Sequence, residues 1–148
     1  MSIFRKIDKV LGAFGYIRAL ERTHVDTFTE NLINNVPGEK IAESKEGQLY
    51  VEFQELAGFN FMESAILSRE NIKTFKGAKL SFIGDDDELI LDSDITEIES
   101  DYSNVSNRWM TKVSYVVTKD DIKFITEKKS NTIVFEYKRK AIKLYGIK

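Results

Sequence analysis

Between Ala78 and Val117 the chain reads AKLSFIGDDDELILDSDITEIESDYSNVSNRWMTKVSYVV. Short runs in which apolar and polar residues alternate are broken by acidic and Asn/Ser clusters. Side chains of an extended strand point alternately to opposite faces, so this pattern marks antiparallel strands with one face on a core and the other in water. Leu80 and Phe82 define one strand and Leu89 and Leu91 another, joined by Gly84-Asp85-Asp86-Asp87, a connection rich in turn formers. Ile95 to Asp101 reads as a short strand, and the Ser103-Asn104 and Ser106-Asn107 pairs as the next turn. From Arg108 to Val117 the alternation is clearest. Trp109, Thr111, Val113, Tyr115 and Val117 are bulky, β-favouring and on one face, which is assigned to the core.

Downstream, Thr118 and Asp121 have the spacing of a capping box with Asp in place of Glu, predicting a helix to about Lys129 with Ile122 and Ile125 inward. Ile133, Phe135 and Tyr137 then alternate as a strand, and Ile142 and Leu144 as a last one ending near Gly146. Upstream, Leu49, Val51 and Phe53 form a half-buried strand, Gly58 a turn, and Phe59 and Phe61 open a strand running towards Leu67. Residues 38–48 are polar and bounded by glycines, and read as a loop or a poorly paired edge.

The first 36 residues change period. Ile3, Ile7, Val10, Phe14 and Ile17 fall on one side at 100° per residue, predicting a helix over about residues 3–21. Its second half, VLGAFGYIRAL, is apolar on nearly every side, and Gly12 and Gly15, which each cost roughly 1 kcal/mol relative to Ala inside a helix, are explained if another backbone or a ligand comes close. Val25, Phe28, Leu32 and Val36 predict a second helix over about residues 25–34, ended by Pro37-Gly38. The fold expected from these pieces is α+β: two N-terminal helices packed on an antiparallel, meander-like sheet of six to eight strands, with one helix inserted before the last two strands. Its parts are a helical segment over 1–36 and a β-rich body over 49–148.

Composition sets the outer bounds. A chain of 148 residues has the length of one domain, and its ten Phe and 42% hydrophobic content suffice for a core that takes roughly 70% of the unfolded surface out of water. The absence of Cys removes disulfides, thiolate nucleophiles and Cys-ligated zinc. It fits a cytoplasmic protein. The uncharged run after Arg5, Lys6 and Lys9 spans only residues 10–17, short of a membrane span and without a cleavage site behind it.

No reactive constellation emerges. The sole His, His24, stands between the two predicted helices with only Glu21 and Asp26 near it, a spacing that fits no metal motif. An EF-hand loop begun at Asp85 would put Leu89 and Ile90 at positions five and six, and one begun at Asp92 would put Glu97 at six. Nucleophile elbows, phosphate-cradling glycine loops and dinucleotide fingerprints are absent. No cofactor or metal is expected, and catalysis is disfavoured.

Charge is the outstanding anomaly. Residues 84–107 carry nine acidic side chains and no basic one, a net of −9, whereas residues 108–148 carry eleven basic against four acidic, a net of +7. Either the two sets pair across the sheet, at roughly 0.2–1 kcal/mol per pair, or they make a bipolar surface that orients a partner. The expected function is a non-catalytic protein-interaction module, with a protein partner or self-association. Its contact residues would be Gly12, Phe14, Gly15, Tyr16 and Leu20 in the first helix and Lys138, Arg139, Lys140 and Lys143 near the C-terminus. One alternative is a small-molecule or lipid ligand in a cavity lined by Phe53, Phe59, Phe61, Trp109 and Tyr115. A second is nucleic-acid binding through the C-terminal basic strands, where Tyr137 and Tyr145 interleave with cations but acidic hairpins repel a polyanion. Membrane contact through Phe4, Arg5, Lys6 and Lys9 is disfavoured, because these cations do not line up opposite the apolar stripe.

Overall fold

Strands dominate the described residues. In the computed structural model, which describes residues Phe28–Lys148, 55% of the described residues are in strands and 12% in helices. The strands are β1 (Glu39–Ser44), β2 (Gly47–Leu56), β3 (Phe59–Ser68), β4 (Lys73–Thr74), β5 (Ala78–Ile83), β6 (Glu88–Asp92), β7 (Ile98–Glu99), β8 (Asp101–Ser103), β9 (Arg108–Val117), β10 (Thr132–Tyr137) and β11 (Lys140–Gly146). Among the described residues two helices accompany them: α1 over 28–34 and α2 at Lys119–Thr126.

Nine of the strands form one antiparallel sheet in the order β6-β5-β10-β11-β1-β2-β3-β9-β8, while β4 and β7 pair separately. The large sheet is curled. Asp94, just past β6, donates its backbone N–H to the Ser114 carbonyl of β9 at 2.7 Å, so the first and eighth strands of the order come together. Every step between them is antiparallel, so β6 and β9 themselves run in opposite directions, as closure of such a sheet requires.

The α+β expectation is overturned: the described residues are mostly strand and build one large curled sheet of nine strands rather than a sheet of six to eight. The helix expected over residues 3–21 lies outside the described residues, and of the one expected over 25–34, residues 28–34 are helical. A further correction concerns residues 38–48. They supply β1, which lies inside the sheet between β11 and β2. The ladder slips between Lys40 and Ala42, leaving consecutive residues Ile41 and Ala42 both buried, and this bulge destroys the period-two signal. Likewise the strand expected over 95–101 is broken into β7 and β8, anchored by Ile98 and by buried Ser100 and Ser103.

Where one face of a strand is buried, the alternation held. Leu49 and Val51, Met62 and Ile66, Leu80 and Phe82, Ile133 and Phe135, and Ile142 and Leu144 all enter one core. So do Val113, Tyr115 and Val117, with Thr111 also buried, whereas Trp109 is half-buried and stacks on Tyr102 of β8 with ring centroids 4.6 Å apart. The helix inserted after β9 carries the full capping box: Thr118 Oγ1 accepts the Asp121 N–H, and Asp121 Oδ2 accepts the Thr118 N–H. It ends at Thr126 and closes on the core through Ile125, with Ile122 and Phe124 packed beside it. Helix α1 covers the opposite face of the sheet, where Ile33 buries Leu67 of β3 and Met110 of β9 in a second, smaller cluster.

Candidate functional site

Two residues, Lys138 and Arg139, connect β10 to β11, with Tyr137 and Lys140 paired on either side. So short a connection demands a left-handed backbone at its first central position, usually filled by Gly. Here Lys138 takes that conformation, with φ 53°. An L-residue pays roughly 1–2 kcal/mol for it. Lys138, Arg139 and Lys140 are all exposed, and none joins an ion pair or side-chain hydrogen bond among the described residues.

The base of this turn is fixed. Tyr137 is buried, and its hydroxyl donates to Glu70 Oε2 at 2.7 Å, tying β10 to the segment after β3. Burial and the adjacent Glu70 carboxylate push the phenol well above its ordinary value. Beside the turn runs a groove of about 480 Å³ whose lining includes Lys76, Lys79 and Lys138 and the carboxylates of Asp92 and Glu136. Lys79 and Asp92 approach to 3.8 Å with both side chains mostly in solvent, a contact of little energetic weight.

The acidic turn Gly84–Asp87 lies at the other end of the same strands. In the β5–β10 ladder Ala78 faces Tyr137 and Ile83 faces Thr132, which separates the two turns by about 17 Å of strand. Asp85 accepts from the Asn131 side chain at 2.7 Å, and Lys129 stands close enough to Asp87 to feel its charge. Among the described residues no ion pair joins the acidic segment 84–107 to the basic segment 108–148. The two turns thus stand at opposite ends of the strands with opposite charge, while Lys129 near Asp87 and Lys112 near Asp101 offset part of the acidic segment.

Of the contact residues expected from the sequence, Lys138, Arg139 and Lys140 are brought together. Lys143 is not: it lies on the outward face of β11 with its ammonium 5.7 Å from the Tyr145 ring centre. Gly12, Phe14, Gly15, Tyr16 and Leu20, like His24, lie outside the described residues. The aromatic cavity is a correction. Phe53 packs against the core and Tyr115 is fully buried in it, while Phe59 and Phe61 belong to the opposite, outward face of β3, with Phe59 62% exposed. Strand alternation divides these residues between two faces, so they share no cavity.

The structure also shows polar features the sequence did not reveal. Tyr115 Oη and Thr111 Oγ1, both on the inward face of β9, are buried without hydrogen-bond partners among the described residues. Burial pushes the Tyr115 phenol up. Ser64, on the neighbouring strand, spends its hydroxyl on the Val113 carbonyl at 2.8 Å. At the margin of α1, Glu30 Oε1 accepts from Ser106 at 2.6 Å and Ser103 at 3.0 Å, and Glu30 Oε2 stands 4.0 Å from Arg108. The Ser106 hydroxyl first, then Ser103 and Arg108, hold this carboxyl below the usual range against the opposing effect of burial. Only a register that sets β8 beside β9 under α1 could assemble that cluster.

Among the described residues, no three His, Asp or Glu side chains converge as a metal site. No described helix is long and apolar enough to cross a membrane. Compared with family models, curated proteins and solved structures, the chain matches none.

Proposed function

We propose that the protein is a non-catalytic binding module that presents the basic turn Lys138-Arg139-Lys140, with the groove beside it, to an acidic segment of a protein partner. The observation that supports this most directly is the backbone of Lys138. A glycine would relieve the strain at that position, yet the sequence has a cation there, followed directly by two more. Tyr137 and its bond to Glu70 hold the turn on a rigid ladder, which lowers the ordering cost of binding. Charge of this kind governs encounter rate and orientation, and the acidic turn at the far end of the strands disfavours backward docking. A cysteine-free chain suits a reducing cytoplasm, the location proposed here.

The test uses a fluorescent oligoglutamate peptide and, in parallel, single-stranded RNA of equal charge, at low and physiological salt. Salt-sensitive binding of the peptide that is lost in Lys138→Gln/Arg139→Gln/Lys140→Gln supports the module. Binding of RNA in preference to the peptide would replace it with a nucleic-acid function. Equal behaviour of wild type and triple variant towards both probes would remove the turn from consideration.

A further inference from the structure

We infer that a second cationic groove, separate from the basic turn, binds a phosphoryl group. It lies where the β1–β2 turn, the end of β3 and the start of β9 meet, has a volume of about 180 Å³, and is lined by Lys45, Arg69, Arg108, Gln48 and Ser106 among others. Its three cations come from three separate chain segments, brought together by the β2–β3 and β3–β9 registers: Gly47 faces Ser68, and Ser68 faces Trp109. Like charges gathered in one small groove repel unless an anion joins them.

The acids nearby leave that charge largely unanswered. Glu46, the one carboxylate lining the groove, is turned towards β11, where its Oε2 accepts the Lys143 N–H at 2.8 Å. Glu30 reaches Arg108 only at 4.0 Å, and its other oxygen is occupied by Ser103 and Ser106. It therefore orients the guanidinium without saturating its five donors. Among the described residues Lys45 and Arg69 have no carboxylate within ion-pair distance.

The number of cations selects the ligand. A carboxylate carries one charge, whereas a phosphate monoester carries about −1.5 to −2 near neutral pH and offers three strong acceptor oxygens. Two arginine forks and an ammonium match that valence and geometry. The ligand class is thus a terminal phosphoryl group, either inorganic phosphate or the monoester of a small molecule.

Amide NMR of the full chain, titrated with sodium phosphate, O-phosphoserine and sodium chloride at matched ionic strength, provides the test. The site predicts saturable shifts confined to the amides around Lys45, Arg69 and Arg108 for phosphate, phosphoserine or both, and none of that pattern with chloride. Tighter binding of phosphoserine identifies an ester ligand, and equal or tighter binding of phosphate the free ion. Lys45→Gln and Arg69→Gln, both exposed and outside the hydrogen bonds of Glu30, should each weaken binding by roughly tenfold. Arg108→Gln also disturbs Glu30 and is the less direct probe. Lys138→Gln/Arg139→Gln/Lys140→Gln should leave phosphate binding unchanged, which separates this site from the module proposed above. Shifts that chloride reproduces, or that survive in both Gln variants, overturn the inference.

Discussion

Two hairpin turns of this molecule solve the same backbone problem with opposite chemistry. At the β2–β3 turn Ala57 and Gly58 both have positive φ, 53° and 83°, and at the β10–β11 turn Lys138 has φ 53°. Each turn therefore puts a non-glycine residue where glycine or asparagine is favoured. The first is flanked by Leu56 and Phe59, exposed and apolar, and the second by buried Tyr137 and exposed Lys140, with Arg139 as its other turn residue. Backbone strain by itself is thus no mark of function here, since Ala57 presents nothing to a partner. What singles out Lys138 is the combination of strain, charge and a base pinned through Tyr137.

The largest effect tests the common support of both turns. Phe135 is fully buried in β10, and Phe135→Ala should cost about 3–5 kcal/mol by urea denaturation. A cost below about 1 kcal/mol would mean that the curled sheet is not packed as described, and neither turn could be called rigid. Next comes the contrast itself. Neutralising Lys138, Arg139 and Lys140 should reduce oligoglutamate affinity by roughly tenfold or more at low salt, while Leu56→Ser/Phe59→Ser leaves it unchanged. Loss of affinity in both variants would erase the distinction between the turns.

Alkaline pH sharpens the comparison further. Burial, and for Tyr137 the Glu70 carboxylate as well, push the phenols of Tyr115 and Tyr137 above the ordinary value of 10.0. The folded state then holds both protons more tightly than the unfolded chain. Their contribution is complete below about pH 10 and is lost as the pH rises towards the folded-state values. Tyr137→Phe should remove about 1.5 kcal/mol at neutral pH by losing the bond to Glu70, and should flatten the alkaline decline. Tyr115→Phe should flatten it too, but be neutral or stabilising by up to about 1 kcal/mol, because it deletes a hydroxyl without a partner. The smallest effects are in the turns. Ala57→Asn and Lys138→Gly should each add about 0.5–1 kcal/mol to stability, and only the second should weaken peptide binding.

How far the sequence could be read depended on how each element is buried. Strands β2, β10 and β11 bury one face along their length, and β3, β5 and β9 along part of theirs, so Leu49 and Val51 or Ile133 and Phe135 announce themselves two residues apart. Strand β1 stayed hidden because its bulge buries Ile41 and Ala42 in succession and because most of its other residues are charged. The strand read over 95–101 concealed its break into β7 and β8, because Ser100 between them is held inside by polar contacts: its hydroxyl accepts the Ile72 N–H at 2.9 Å. The same logic divides the sites. Lys138, Arg139 and Lys140 are adjacent in the chain and legible as a cluster, whereas Lys45, Arg69 and Arg108 are neighbours only through strand register.

The pairing of β1 with β11, in which Ala42 faces Gly146 and Glu43 faces Tyr145, has a consequence in time. It joins segments about a hundred residues apart, so the entropy of closing a very long loop must be met before those bonds can form. During synthesis β1 leaves the ribosome with one flank bare and waits for a partner that is made about a hundred residues later. Refolding should accordingly be a millisecond-to-second process rather than a microsecond one. Any shortening of the chain that deletes β11 would leave a strand from the middle of the sheet as an open edge, ready to recruit another molecule.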